Sequence, residues 1–326
     1  MSDLIFSLVA IVIGIAVSYG LYWLLSFLLS LLPKRMHQRL SWLAFLTPAA
    51  VLVILVLVLP LFQNILWSFK DSGVKKWIGF KNYIDLFTNT NFLGILLNNF
   101  LWVLVVPAIT VAIGTAAAAL TNQVGPTAEK IFKSLIFMPL SISFVAASTI
   151  WAYFYAYVPP GRPEIGLLNA IATTVGLQAQ PWMTIDHARL NSFLLMAVVV
   201  WLQVGYAMVV ISAAIKGVPE ETIEAAQLDG ASAWQIFAGI VLPQVWGTVM
   251  SVFVTVLILV MKIFDIVLAM TRGNFSTSVL AFEWYNQFFV NSNLGAASAV
   301  VTVLVILIAP LMWLQIQTVK QQELLR

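Results

Sequence analysis

The chain has 326 residues, 61% of them hydrophobic and only 9% charged, with a formal net charge of +3. Soluble domains run near a quarter charged, so the composition marks an integral membrane protein, and so small a charge spread over loops offers no nucleic-acid patch. Cysteine is absent and the histidines are two, His37 and His187, which excludes disulfides, thiolate chemistry and a His-based metal cluster.

A helix needs about 20 apolar residues to cross a bilayer. By that measure the sequence predicts an all-α, polytopic membrane helix bundle of about seven transmembrane helices: roughly 4–32, 42–67, 95–120, 132–157, 192–215, 249–270 and 296–316. Runs of this length without period-two alternation exclude a membrane barrel. The first run has no Lys or Arg before it, so it reads as a retained helix rather than a cleavable signal. Pro48, Pro107 and Pro139 inside spans are expected to mark kinks.

The connections differ in character. PKRMHQR (33–39) is short and basic, and 70–94 is polar with an amphipathic KNYIDLF. Residues 121–131 form a linker with Gly125-Pro126. Residues 158–191 are the longest loop, with turn residues in PPGRPEIG and aromatic punctuation in QPWMTIDHARL. An odd number of spans places 33–41, 121–131, 216–248 and the C-terminus on one side. Lys34, Arg35 and Arg39, crowded beside two spans, make that side cytoplasmic and put the N-terminus outside.

EAAQLDGASAWQIFAGIVLP (224–243) turns to small residues, acids and a glycine between two greasy spans. Pro219 stands where a helix begins, and Glu220, Glu221 and Glu224 place negative charge at its positive end. Ala225 and Ala226 permit close approach by another surface, and Asp229-Gly230 ends the helix. Ser232 can cap a second short helix, 233–241, which stops before Pro243. The product is either a docking element with acids for a basic partner or a plain helical hairpin joining two spans.

The pattern E-A-A-x-x-x-G-x9-I-x-L-P, carried by Glu224, Ala225, Ala226, Gly230, Ile240, Leu242 and Pro243, resembles the EAA loop of binding-protein-dependent ABC importer permeases. RLSWLAFLTPAAVLVILVLVLPLFQNILWSF, KSLIFMPLSISFVAASTIWAYFY and FDIVLAMT…STSVLAFEWY are similar to the sugar branch of that family, the maltose, α-glucoside and glycerol-phosphate type. The resemblance covers about residues 40–320. It implies an extra N-terminal helix (1–32) before a six-span permease domain (33–326). It also implies that the loop 216–248 holds a cytoplasmic coupling helix, and that Glu220, Glu224, Ala225, Ala226, Asp229 and Gly230 dock to an ATPase. Implied partners are two ABC ATPase subunits, a second, non-identical permease, an extracytoplasmic substrate-binding protein, a di- or oligosaccharide and the lipid bilayer of a prokaryotic plasma (inner) membrane. Three features depart from the family: the first span is extra relative to a six-span core, as in some α-glucoside members, Gly247 stands where a second proline often follows LPxxx, and TRGNFST replaces a glycine-rich TGGGP turn, so that outer loop is expected to differ in shape.

No G-x-x-x-x-G-K-[ST] occurs, so no P-loop can cradle ATP. The chain is therefore expected to be no enzyme and to carry no cofactor or metal, with ATP and Mg on the partner ATPase. Val199, Leu202, Gln203 and Tyr206 fall at i, i+3, i+4 and i+7 and share one face. In the sugar branch the matching positions contact sugar; the alternative is that Gln203 bonds a neighbouring helix. Lys262 and Asp265, at i and i+3, either pair with each other inside the span or line the path. The family-matching Val256, Val260 and Ile263 are apolar. WAYFYAY (151–157) reads as an interfacial aromatic belt rather than a sugar platform, with the same alternatives for Trp284 and Tyr285. Asn98-Asn99 and Asn191-Ser192 read as caps and inter-helix glue. An ion-coupled secondary transporter would need intramembrane carboxylates and repeated halves, and only Asp265 qualifies. A membrane enzyme would need HExxH, GxSxG or paired carboxylates, and none lies in the spans.

Overall fold

The computed structural model describes residues 2–324 except 160, 163 and 164, so Pro160, Pro163 and Glu164 of the expected PPGRPEIG turn lie outside the described residues. Among these residues the chain is helical, without a β-strand and with one isolated bridge between Lys70 and Trp77. It divides into two compact units, Met1–Trp67 and Ser68–Arg326. Six helices are long and apolar enough to cross a membrane, or seven if one bent pair counts as a span.

The first unit is a pair of helices, α1 (Ser2–Ser30) and α2 (Lys34–Trp67), joined by a turn around Pro33. A ring nitrogen of His37 lies 3.0 Å from the Leu29 carbonyl, and the Tyr22 and Phe45 rings sit 5.1 Å apart. Helix α2 runs through Pro48 without a break. Before Pro60 it widens into a π-helical turn, Ile54–Val58, which moves carbonyls away from the proline ring and absorbs its missing N–H.

The second unit contains α3 (Lys81–Thr88), α4 (Thr90–Thr121), α5 (Pro126–Phe137), α6 (Phe144–Phe154), α7 (Leu167–Thr174), α8 (Leu190–Lys216), α9 (Glu220–Leu228), α10 (Ala233–Met261), α11 (Asp265–Met270), α12 (Leu280–Tyr285) and α13 (Leu294–Leu324). Helices α4, α8 and α10 enclose the main core, with Trp102, Val106, Leu195, Val199, Met208, Val252 and Val260 buried. Without a hydrophobic drive between helices in lipid, small residues set how closely they pack. A Cβ on Gly114 would stand 2.5 Å from the Ala207 Cβ, and one on Gly205 would stand 2.5 Å from the Ile136 carbonyl oxygen. The first contact fixes α4 against α8, and the second fixes α8 against α5.

Two expected spans are corrected. The span drawn at 132–157 is a broken pair, with α5 and α6 bent by 103° at residues 138–143. Pro139 lies in the intervening 3-10 turn, and the Ser143 hydroxyl accepts from the Ala146 N–H to start α6 afresh. The span drawn at 249–270 begins earlier and ends earlier. The short helix expected to stop before Pro243 instead continues as α10, because a π-helical turn over Phe237–Val241 precedes Pro243 just as one precedes Pro60.

Candidate functional site

The 217–232 connection forms the hairpin legible in the sequence, with α9 as its first arm. Its start is exposed acid, Glu220, Glu221 and Glu224, at the end of the helix where partial positive charge gathers. Ile223 and Ala226 turn inward and pack on the bundle core, while Glu224, Ala225 and Gln227 face outward. The helix ends in a Schellman motif. The Gly230 N–H donates to the Gln227 carbonyl and the Ala231 N–H to the Ala226 carbonyl, both at 3.0 Å. Gly230 carries φ +80, which a residue with a Cβ adopts only with strain. Ser232 then caps α10 in a full capping box: its hydroxyl accepts from the Gln235 N–H at 3.4 Å, and its own N–H donates to Gln235 Oε1 at 2.8 Å.

Of the expected docking residues, Glu220, Glu224, Ala225, Asp229 and Gly230 are exposed and Ala226 is half-buried. Two large apolar residues that flank the turn, not singled out in the sequence, are exposed. Leu228 is 90% exposed and Trp234 is 73% exposed. Both are large apolar groups at the tips of a rigid hairpin, and their signal was an apolar residue inside an otherwise polar or small-residue stretch.

The candidate path residues scatter. Leu202 and Val260 are buried in the main core, as are Val199, Val256 and Ile263. Gln203 is 7% exposed and, among the described residues, its amide makes no hydrogen bond, so the reading of it as glue to a neighbouring helix finds no partner. Tyr206 is half-buried. The expected ion pair between Lys262 and Asp265 does not form. Helix α10 ends at Met261, Lys262 caps it with φ −103 and ψ 12, and Asp265 opens α11, so the i, i+3 spacing no longer lies on one helix. The ion pairs among the described residues join Glu129 to Lys133 and to Lys216.

At the opposite end of the bundle the TRGNFST segment takes left-handed backbone at Arg272 (φ 51), Gly273 (φ 70), Phe275 (φ 53) and Ser276 (φ 59). Three of these bear a Cβ and are strained by roughly 1 kcal/mol or more each. Side chains from α4, from α8 and from Arg189 just before α8 hold the strained turn. Asn191 donates to the Phe275 carbonyl at 2.7 Å and Arg189 to the Ser276 carbonyl at 3.1 Å. Asn98 donates to the carbonyls of Thr277 and Ser278 at 2.9 Å each, and the Leu280 N–H donates to Asn99 Oδ1 at 2.6 Å. The Asn98-Asn99 and Asn191 positions therefore act as glue. A polar cavity of about 490 Å³ opens beside this turn, lined by Thr90, Asn91, Arg189, Arg272, Glu283 and Asn286 among others. Burial pushes the Glu283 carboxyl up, opposed by a hydrogen bond from Gln287.

The aromatic run 151–157 is divided. The Trp151 ring lies tilted against Tyr155 and edge-on to Trp201, and the buried Tyr155 hydroxyl donates to the Leu194 carbonyl at 3.0 Å, while Tyr153 is 66% exposed. Two of its aromatics thus belong to the bundle interior rather than to a belt. Behind the run, Asn169 on α7 ties Ala156 to Gln180 and Trp182. Its amide donates to the carbonyls of Ala156 and Gln180 and accepts from the Gln180 N–H and the Trp182 indole.

The family described as "Binding-protein-dependent transport system inner membrane component" matches residues 108–317. The chain is 40% identical to the alpha-glucoside transport system permease protein AglF of Rhizobium meliloti, with 96% of each chain covered. It is 42% identical to the osmoprotective compounds uptake permease protein GgtC of Synechocystis sp., covering 86% of this chain and 100% of that one. The fold is similar to a chain of a bacterial alginate ABC transporter solved in complex with an alginate pentasaccharide-bound periplasmic protein, with a TM-score of 0.73 at 19% identity, covering 85% of this chain and 93% of that chain.

Proposed function

This chain belongs to the family of binding-protein-dependent transport system inner membrane components, and on that premise we propose that it is the permease subunit of an ATP-driven importer of a di- or oligosaccharide such as an α-glucoside. The observation that carries the reading is the acid-started hairpin, which leaves Glu224, Ala225 and Gly230 of the E-A-A…G pattern exposed while Ala226 packs inward and anchors α9 to the bundle. Helix α9 docks to a separate ATPase subunit, which binds ATP and Mg. Two such ATPases, a second, non-identical permease and an extracytoplasmic binding protein complete the assembly. Closure of the ATPases moves the docked helices, and the spans convert that movement into alternating access. The hairpin side is cytoplasmic and shares that side with the C-terminus, while the N-terminus and the polar cavity beside Arg272 lie outside. Gln203 and Tyr206 on α8 supply the path with an amide and a phenol. The identity to an alpha-glucoside permease over nearly the whole chain supports a sugar substrate; a glycerol-phosphate ester is the alternative within the same role.

A mild-detergent purification from the native membrane, with mass spectrometry of the companions, tests this. Recovery of a Walker-A ATPase and a second EAA-loop permease supports the reading; recovery of the chain alone, from a preparation that keeps other complexes whole, refutes it. Glu224→Lys places the wrong charge on the docking face. It is expected to uncouple ATP use from uptake while the chain still inserts, and normal uptake would count against docking through α9.

A further inference from the structure

The ion pairs among the described residues gather at the root of the coupling hairpin. Lys216 is the last residue of α8, and three residues, Gly217 to Pro219, separate it from α9. Glu129 on α5 receives Lys216 at 2.5 Å and Lys133 at 2.5 Å. Lys133 also donates to Asn122 Oδ1 at 3.1 Å and to the Ser212 hydroxyl, and Ser212 donates to Asn122 Oδ1 at 2.6 Å. An ammonium has three donors, and each donor of Lys133 thus has an acceptor. Asn122 caps the end of α4, so one network joins the ends of α4, α5 and α8.

The two lysines differ. Lys133 is 21% exposed and fully committed, whereas Lys216 is 54% exposed and, among the described residues, pairs with Glu129 alone. Lys133 neutralises Glu129 whether or not Lys216 is in place, so the carboxylate is never left with an uncompensated charge. Losing Lys216 therefore leaves the three helix ends joined and Val218 and Ile223 on the core, but removes the charged tie that runs from the base of α9 to α5.

We infer that Glu129 and Lys216 form a latch that fixes the base of the coupling helix to α5, so that α5 and α9 move as one body when the ATPase drives the hairpin. Both are positioning residues for coupling. The inference rests on the docking reading above. It adds that the bent α5–α6 pair, and not α8 alone, receives the displacement.

The test uses the whole transporter, purified with its companions into lipid nanodiscs. This chain contains no cysteine, so Lys130→Cys on α5 with Gln227→Cys on α9, both exposed positions, accepts a spin-label pair once partner cysteines are removed. The latch predicts a single narrow inter-label distance that does not shift on adding ATP and vanadate. Lys216→Gln is expected to broaden the distance with an unchanged melting temperature, and Lys216→Arg to keep it narrow. A distance that shifts with ATP and vanadate in the lysine-containing protein, or one that stays narrow in Lys216→Gln, overturns the latch. Absence of any ATPase from the preparation overturns instead the docking reading, and with it the role given to the latch.

Discussion

Leu228→Ala tests whether the exposed tip of the hairpin is a docking surface or only a connecting turn. Leu228 is 90% exposed at the end of α9, so truncating it removes almost no contact within the bundle. If the tip of the hairpin enters a cleft on the ATPase, that side chain is buried there. The substitution strips three carbons, and at about 0.8 kcal/mol per buried methylene the loss is about 2.4 kcal/mol, or roughly fiftyfold in Kd. Labelled ATPase titrated against the chain in nanodiscs, read by fluorescence anisotropy, measures it. The melting temperature of the variant alone should stay that of the parent chain. Ile223→Ala provides the contrast, because Ile223 packs inward on the core and its loss should lower the melting temperature as well as the affinity. A Kd that moves by less than about threefold with an intact Leu228→Ala chain would refute the argument that the exposed tip is a docking surface.

Three further outcomes follow from the geometry. Asn169→Ala removes four hydrogen bonds from a buried centre and orphans the Gln180 N–H and the Trp182 indole. The 156–182 loop should lose about 3 kcal/mol of local protection in hydrogen exchange while α4 and α8 keep theirs. Gly205→Ala sets a Cβ against the backbone of Ile136 and Phe137, which no rotamer can relieve, and should cost about 1–3 kcal/mol in thermal stability; an unchanged melting temperature would mean that α5 and α8 are not in close contact. The Asp71 carboxyl is held below its usual range by the backbone N–H groups of Lys76 and Lys75 and by their charges. Because the folded value is depressed, the contribution to the 70–77 turn is complete above the ordinary carboxylate pKa and is lost only as pH falls through the folded value. Amide protection at Lys75 and Lys76 should therefore be flat in stability terms from pH 8 to about 5, weakened in Asp71→Asn, whose amide oxygen still accepts without the charge, and lost in Asp71→Ala, which has no acceptor.

Part of the site was legible because it depends on neighbours in the chain. The termination of α9 at Asp229-Gly230 and the cap at Ser232 need only backbone conformation and a hydroxyl within a few residues, and both are present. Leu228 was not legible as an exposed group. Its exposure depends on which face of α9 turns inward, and that is set by Ile223 and Ala226 packing on distant parts of the core. The ion pair expected of Lys262 and Asp265 failed for a related reason, since i, i+3 spacing places two charges together only if the helix between them persists.

The sequence by itself determined the membrane class, the near-count of spans, the outward hairpin and the absence of a P-loop. Each follows from composition, run length or a local motif, and lipid leaves a backbone without partners little choice but helix. Only the tertiary structure decided where helices break or run on. Proline at 243 is absorbed by a π-helical turn, while proline at 139 stands where α5 and α6 bend by 103°. The tertiary structure also decided that a left-handed turn could be built on Arg272, Phe275 and Ser276, because Asn98 and Asn99 reach it from α4 and Arg189 and Asn191 from the N-terminal end of α8. A proline or a strained residue states locally what it costs, and the groups that compensate that cost lie far away in the chain.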